Sequence, residues 1–231
     1  MENFKVKIGI ATYNRVKKLE RLLASIKNQT LSSKHFDVTI LYDYDDAPTV
    51  WFLQNNKELN SICFHQKAFV IEKWNTFHEQ SGGMAHATLV DDVELDVHCL
   101  EKAVNTLLDN YPDYDGVIGL SQECPGQPNY KFQPTGQILV GSKFLDRYPQ
   151  RHICCPKYVQ WYQDEELLTF ATELGKFKLC SEAKMIHYHP AYVKGEMDST
   201  HPLSRNEIYL KDTKLHNVRK LSGKIWGKTF D

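Results

Sequence analysis

The chain has 231 residues, 42% of them hydrophobic and 25% charged, with a net charge of −1 at pH 7. That length allows one large domain with a substantial core, and the near-neutral balance argues against a protein that coats nucleic acid by charge alone. No apolar stretch approaches the length of a membrane span, residues 1–7 lack a signal-peptide core, and the six cysteines show no C-x-x-C pair. A reduced, cytoplasmic protein is therefore expected.

In chain order, Val6–Ala11 is an apolar run fit for a buried strand, followed by the polar turn Thr12-Tyr-Asn-Arg15. Val16, Leu19, Leu22, Leu23 and Ile26 then recur at helical spacing, with Lys and Arg on the outer face. Residues 36–42 read as a second strand running into the acidic loop Asp43-Tyr-Asp-Asp46. A short helix over 49–56, a short strand over 61–64 and a helix over 68–80 follow, the last broken by Ser81-Gly-Gly83. Strands alternating with helices imply right-handed crossovers and an α/β fold with a mostly parallel central sheet flanked by helices. Ligands bind beyond the carboxyl ends of such strands, where Thr12–Arg15, Asp43–Asp46 and Asp91–Asp92 all fall.

The central stretch is His86–Asp96: apolar Ala87–Val90 reads as a strand, and Asp91, Asp92, Glu94 and Asp96 follow within six positions. A carboxylate pair at the end of a buried strand is costly unless a cation or hydrogen-bond donors satisfy it. Mg²⁺ and Mn²⁺ take oxygen ligands and complete their shell with substrate phosphates. The plainer alternative is a solvated turn with Asp96 as N-cap of a helix over 97–110. Beyond it lie a strand over 116–120, a Pro-, Gly- and Gln-rich stretch over 121–134 read as a loop covering the pocket, a strand over 137–140 and a short helix over 143–147. Aromatic Tyr158–Gln163 leads into Asp164-Glu-Glu166 and a helix closed by Gly175. Residues 177–180 and 183–189 read as two strands, with His187 and His189 on one side of the second. From Arg205 onward seven Lys/Arg face three Asp/Glu, so 191–231 reads as a basic extension, packed on the domain or trailing it.

These motifs in series resemble the family 2-like glycosyltransferases of the GT-A fold. Ile8-Gly-Ile-Ala-Thr-Tyr-Asn-Arg15 with Leu22-Leu-Ala-Ser-Ile26 is similar to that family's opening strand, loop and helix. Leu89-Val-Asp-Asp-Val-Glu-Leu95 resembles its metal-binding segment, Gln163-Asp-Glu-Glu-Leu167 the segment of its catalytic acid, and Met185-Ile-His-Tyr-His189 its late metal-ligating strand. Val90 stands at the first aspartate position, Gln163 where a Glu is usual, and Phe170 where an Arg is common. The resemblance implies a single GT-A (Rossmann-like) domain over 1–190, with a nucleotide-sugar half (1–95) and an acceptor half (96–190).

It also implies a metal-dependent transfer from a nucleoside-diphosphate sugar, a UDP-sugar first among them, to an acceptor hydroxyl. Thr12, Tyr13, Asp43 and Asp91 would grip the nucleoside, and Arg15 and Lys73 are candidate phosphate partners. Asp92 would ligate Mn²⁺ or Mg²⁺ with His187 or His189, His187 being favoured by the resemblance. Asp164 is the candidate general base for inverting transfer, or a helix N-cap, with Glu165 in reserve. The acceptor stays open among saccharide, lipid, protein and a hydroxymethylated pyrimidine in phage DNA. Two other functions compete. A nucleotidyltransferase would carry a Gly-rich loop after the first strand, and Ala11–Arg15 has no glycine. A degenerate, non-catalytic nucleotide- or saccharide-binding protein is the other.

Overall fold

A computed structural model describes residues 4–124, 133–189 and 207–230. The N-terminal half is a run of parallel crossovers: β1 (Val6–Ala11), α1 (Val16–Lys27), β2 (Phe36–Asp43), α2 (Ala47–Asn55), β3 (Asn60–Phe64), α3 (Val70–Gln80) and β4 (Ala85–Val90). β1 pairs in parallel with β2 on one side and β4 on the other, and β3 extends the sheet beyond β2. Then come β5 (Val93–Leu95), α4 (Cys99–Asn110), β6 (Val117–Glu123), β7 (Ile138–Gly141), the single turn α5 (Ser142–Leu145), α6 (Gln163–Glu173), β8 (Phe177–His187) and α7 (Glu207–Leu221). The described strands form one eight-stranded sheet in the order β3-β2-β1-β4-β7-β6-β8-β5, with β7 antiparallel to both its neighbours and β5 antiparallel to β8. The parallel α/β expectation holds, with β7 inserted antiparallel between β4 and β6.

Two apolar layers sandwich the sheet. On one face Leu19, Leu22 and Ile26 of α1 and Leu100, Val104 and Leu107 of α4 pack on Val6, Ile8 and Leu89. On the other, Ile71 and Phe77 of α3, Phe144 of α5, and Leu167 and Phe170 of α6 pack on Val117 and Val140. Burying these stripes is what holds the helices to the sheet. Trp226 lies in this second layer, so the segment after α7 contributes to the core.

Several boundaries differ from expectation, each for a local reason. β6 runs on to Glu123 through a register shift between Leu120 and Ser121, pairing with Lys184–Ile186. That bulge lets one continuous β8 replace the two strands expected. Asp96 does not cap α4: the helix begins at Cys99 with His98 as N-cap, and Asp96 accepts the His98 N–H at 3.1 Å. Nor does Asp164 cap α6. Tyr162 is the N-cap, in left-handed backbone at φ 70°, and Asp164 is the second helical residue. The stretch expected to cover the pocket lies mostly outside the described residues, 125–132 among them.

At Gly9, β1 lies directly against α3. A Cβ there would sit 2.7 Å from the Phe77 ring, which is fully buried. Gly9→Ala is therefore expected to cost ~1–3 kcal/mol, read as a lowered urea midpoint at unchanged m-value. An unchanged midpoint would mean that α3 can back away freely.

Candidate functional site

The carboxyl ends of β1, β2 and β4 open into a cavity of about 380 Å³, within the range of small-molecule sites. Two loops are tied together to form its floor. Asp46, fully buried, accepts the Asn14 N–H at 2.8 Å and the Thr49 N–H at 3.0 Å. It thereby caps α2 and holds Asn14 in left-handed backbone at φ 55°. This turns Tyr13 and Arg15 towards the cavity that both line.

The charges interlock. Thr12 donates to Asp91 at 2.8 Å, and Arg15 reaches Asp91 at 3.1 Å and Asp92 at 3.8 Å. Lys73, 3% exposed, donates to the Thr12 carbonyl at 2.9 Å and pairs with Asp43 at 3.0 Å. Asp43 also accepts the Ala68 N–H. Burial lowers the Lys73 pKa and raises that of Asp43, their mutual attraction acting against both. Tyr13 donates to Asp45 at 3.3 Å, and the Lys67 ammonium lies 4.9 Å above its ring.

Asp91 and Asp92 divide the cost of sharing a buried strand end. Burial pushes Asp91 up despite Arg15, and the neighbouring Asp92 charge adds to this. Burial acts on Asp92 too, but His187, then Arg15, hold its carboxyl well below the usual range. Asp92 Oδ1 and His187 Nε2 stand 3.3 Å apart, while His187 Nδ1 is held at 2.9 Å by Gln122 Oε1. A histidine whose far nitrogen is fixed and whose near nitrogen faces a carboxylate has the orientation of a metal ligand. Among the described residues no three or more His, Cys, Asp or Glu side chains form a metal cage. Asp92 and His187 thus suit a cation that takes its remaining ligands from diphosphate and water, as Mg²⁺ and Mn²⁺ do. His189 also lines the cavity, its ring edge-on to His187 at 5.6 Å.

Asp164 lines the same cavity. Desolvation pushes its pKa up to about 6, with the Glu165 charge adding to the rise. Its Oδ1 accepts the Glu165 N–H at 3.1 Å, and its carbonyl accepts from Thr135 at 2.5 Å. Thr12, Tyr13, Arg15, Asp43, Lys73, Asp91, Asp92, Asp164 and His187 therefore share one cavity. Glu165 is not among its lining residues; it pairs with His216 of α7 at 3.4 Å. The sequence reading did not single out Lys67, Gln122, Gln137, Gln160 or Trp161, which also line the cavity. Gln137 fixes the strand end by accepting the Val90 N–H at 3.0 Å. Isolated glutamines carry no spacing signal, so only the fold could have gathered them.

No helix among the described residues is long and apolar enough to cross a membrane. No protein-family model and no curated protein matches the chain. Solved structures of S. aureus TarS do. The TarS 1–349 structure is 13% identical, with a TM-score of 0.66 over 86% of this chain and 68% of that one. Its UDP-GlcNAc complex is 14% identical, with a TM-score of 0.67 over 84% and 60%; its UDP complex is 12% identical, with a TM-score of 0.65 over 86% and 68%. The chain thus spans about two thirds of those structures. Likeness at this identity carries the fold alone, which is the GT-A fold that the sequence resemblance implied.

Proposed function

We propose that the chain is a glycosyltransferase that moves a sugar from a nucleoside-diphosphate donor, a UDP-sugar, to an acceptor hydroxyl with inversion. The observation that carries the reading is that the buried Asp91–Asp92 pair, Arg15, His187 and a desolvated Asp164 line one cavity. The shared fold, found in structures holding UDP and UDP-GlcNAc, supports it. Tyr13 offers a face to the base, and Asp43 and Asp91 offer acceptors to base or ribose. Asp92 and His187 would hold Mn²⁺ or Mg²⁺, which would supply charge neutralisation for the diphosphate leaving group. Arg15, beside both carboxylates, lends positive charge to the same phosphates.

Asp164 takes the acceptor's hydroxyl proton as the new carbon–oxygen bond forms and the donor's bond to diphosphate breaks. A pKa near 6 suits a base at neutral pH: ionised, yet more basic than a solvated aspartate.

Calorimetry tests the donor site. UDP should bind in Mn²⁺, with GDP, CDP and ADP weaker, and EDTA or Asp92→Ala should each weaken UDP by ~10-fold or more. If no nucleotide binds with or without metal, the proposal falls. UDP binding that is intact with EDTA and in Asp92→Ala would remove the metal from it. Tight UDP binding without turnover of any UDP-sugar would favour the non-catalytic alternative.

A further inference from the structure

We infer that the wall Gln160–Tyr162 is the acceptor subsite of this cavity, and that it takes an uncharged, polyhydroxylated acceptor, a saccharide, in preference to a phosphate-bearing one. The inference rests on the donor-site reading above. Its first support is how charge is distributed. Among the described residues, the Lys and Arg side chains lining the cavity are Arg15, Lys67 and Lys73, all from the donor side. The other lining residues near Asp164 in sequence are amides and aromatic rings, namely Gln160, Trp161, Tyr162 and Gln163. Among the described residues no Lys or Arg of that segment lines the cavity to offset the Asp164 carboxylate against a bound phosphate.

The second support is the way the wall is built. Asp212 of α7, fully buried, accepts the N–H groups of Val159 at 3.1 Å, Gln160 at 2.8 Å and Trp161 at 2.9 Å. Successive backbone N–H groups are what proteins use to cradle phosphate. Here the protein's own carboxylate takes all three, so this backbone is closed to an anionic ligand. The same helix pins the end of the wall. The Tyr162 ring stacks on His216 at 4.4 Å, and its hydroxyl lies 2.9 Å from Thr213. A non-glycine residue in left-handed backbone costs energy and persists where its surroundings over-determine it.

The third support is the chemistry of the lining: the Gln160 and Gln163 amides stand beside the Trp161 and Tyr162 rings in the cavity wall. Neutral donor and acceptor atoms beside aromatic faces are the recognition chemistry of a sugar ring.

The test uses the full chain saturated with UDP and Mn²⁺, reporting on the Trp161 indole N–H by NMR. Methyl β-D-glucoside, methyl α-D-mannoside, N-acetylglucosamine and cellobiose are the neutral probes. Glycerol phosphate and an oligonucleotide carrying hydroxymethylcytosine are the anionic ones. At least one neutral probe should shift the indole resonance, with the anions giving no comparable shift. Asp212→Asn should weaken that response by about tenfold or more, with UDP affinity within about twofold of wild type. Should Asp212→Asn misfold, Trp161→Ala serves, with sugar binding to the UDP-loaded protein read by calorimetry. Shifts driven by the anionic probes and weakened steeply by salt would overturn the inference. So would silence from every sugar while UDP is bound. Loss of UDP binding in the wild-type protein is the separate signature of a failed donor site.

Discussion

Asp164→Asn should lower sugar transfer by two to four orders of magnitude, about the contribution of a positioned general base, while UDP affinity stays within about twofold. Asparagine keeps the shape and the oxygen that accepts the Glu165 N–H, but it cannot take a proton. The pH dependence follows from the same burial. With the Asp164 pKa pushed up to about 6, wild-type transfer should rise with pH through that value and flatten above it; the residual rate of Asp164→Asn should lack that limb. Stability carries the opposite sign. A carboxyl whose folded pKa lies above its unfolded value binds more protons when folded, so the protein loses stability as pH rises from about 4 to 6. The deficit is fully present above that window. Asp164→Asn should therefore be more stable than wild type at pH 7, on the order of 1–3 kcal/mol, and the gain should vanish near pH 4. A mutant that is slower but no more stable at neutral pH would mean that Asp164 is not desolvated. A mutant with unchanged transfer would exclude it as the base.

How much of this was legible depends on which force placed each residue. β1, α1, β2 and β4 are held by apolar burial, which leaves a periodic trace: Leu19, Leu22 and Ile26 repeat at helical spacing because one face packs on the sheet. The strand ends followed from that, and with them Asp43, Asp91 and Asp92. β5 has only three residues, and Glu94 between two buried apolar neighbours disguised it as part of an acidic loop. β8 was broken in two by Ser181 and Glu182, exposed residues that bulge out of β8 where its pairing with β6 shifts register. α7 inverts the usual pattern. Leu210, Val218 and Leu221 are exposed, while Asp212, His216 and Arg219 face the domain. Their burial is satisfied by ion pairs and backbone donors, which hydropathy cannot report. The sequence left this segment open between a helix packed on the domain and a trailing basic extension, and the Gln160–Tyr162 wall fastened to it could not be read.

That inverted helix sets the second large expectation: Arg219→Met should destabilise the protein by ~3–5 kcal/mol, the cost of breaking a buried ion pair. Arg219 Nε lies 2.7 Å from Glu166 Oε1 and its Nη2 lies 3.1 Å from Oε2, and both residues are buried. The Glu166 carboxylate also accepts from Tyr158 Oη and the Trp226 N–H, each at 2.6 Å. One side chain thus joins α6, the aromatic loop before it, α7 and the segment that puts Trp226 into the core. Removing the guanidinium leaves a buried carboxylate with neutral donors alone, which offset only part of its desolvation. The double variant Glu166→Gln with Arg219→Met removes the stranded charge and should recover part of the loss, giving a coupling energy in a double-mutant cycle. Additive effects would mean that the two residues act through separate contacts. A loss under ~1 kcal/mol for Arg219→Met alone would mean that the C-terminal segment merely rests on the surface. Glu166 lies two residues after Asp164 on the first turn of α6. The same variant should therefore raise acceptor KM before it weakens UDP, because the tail holds the acceptor wall and the donor site is built from β1, β2 and β4.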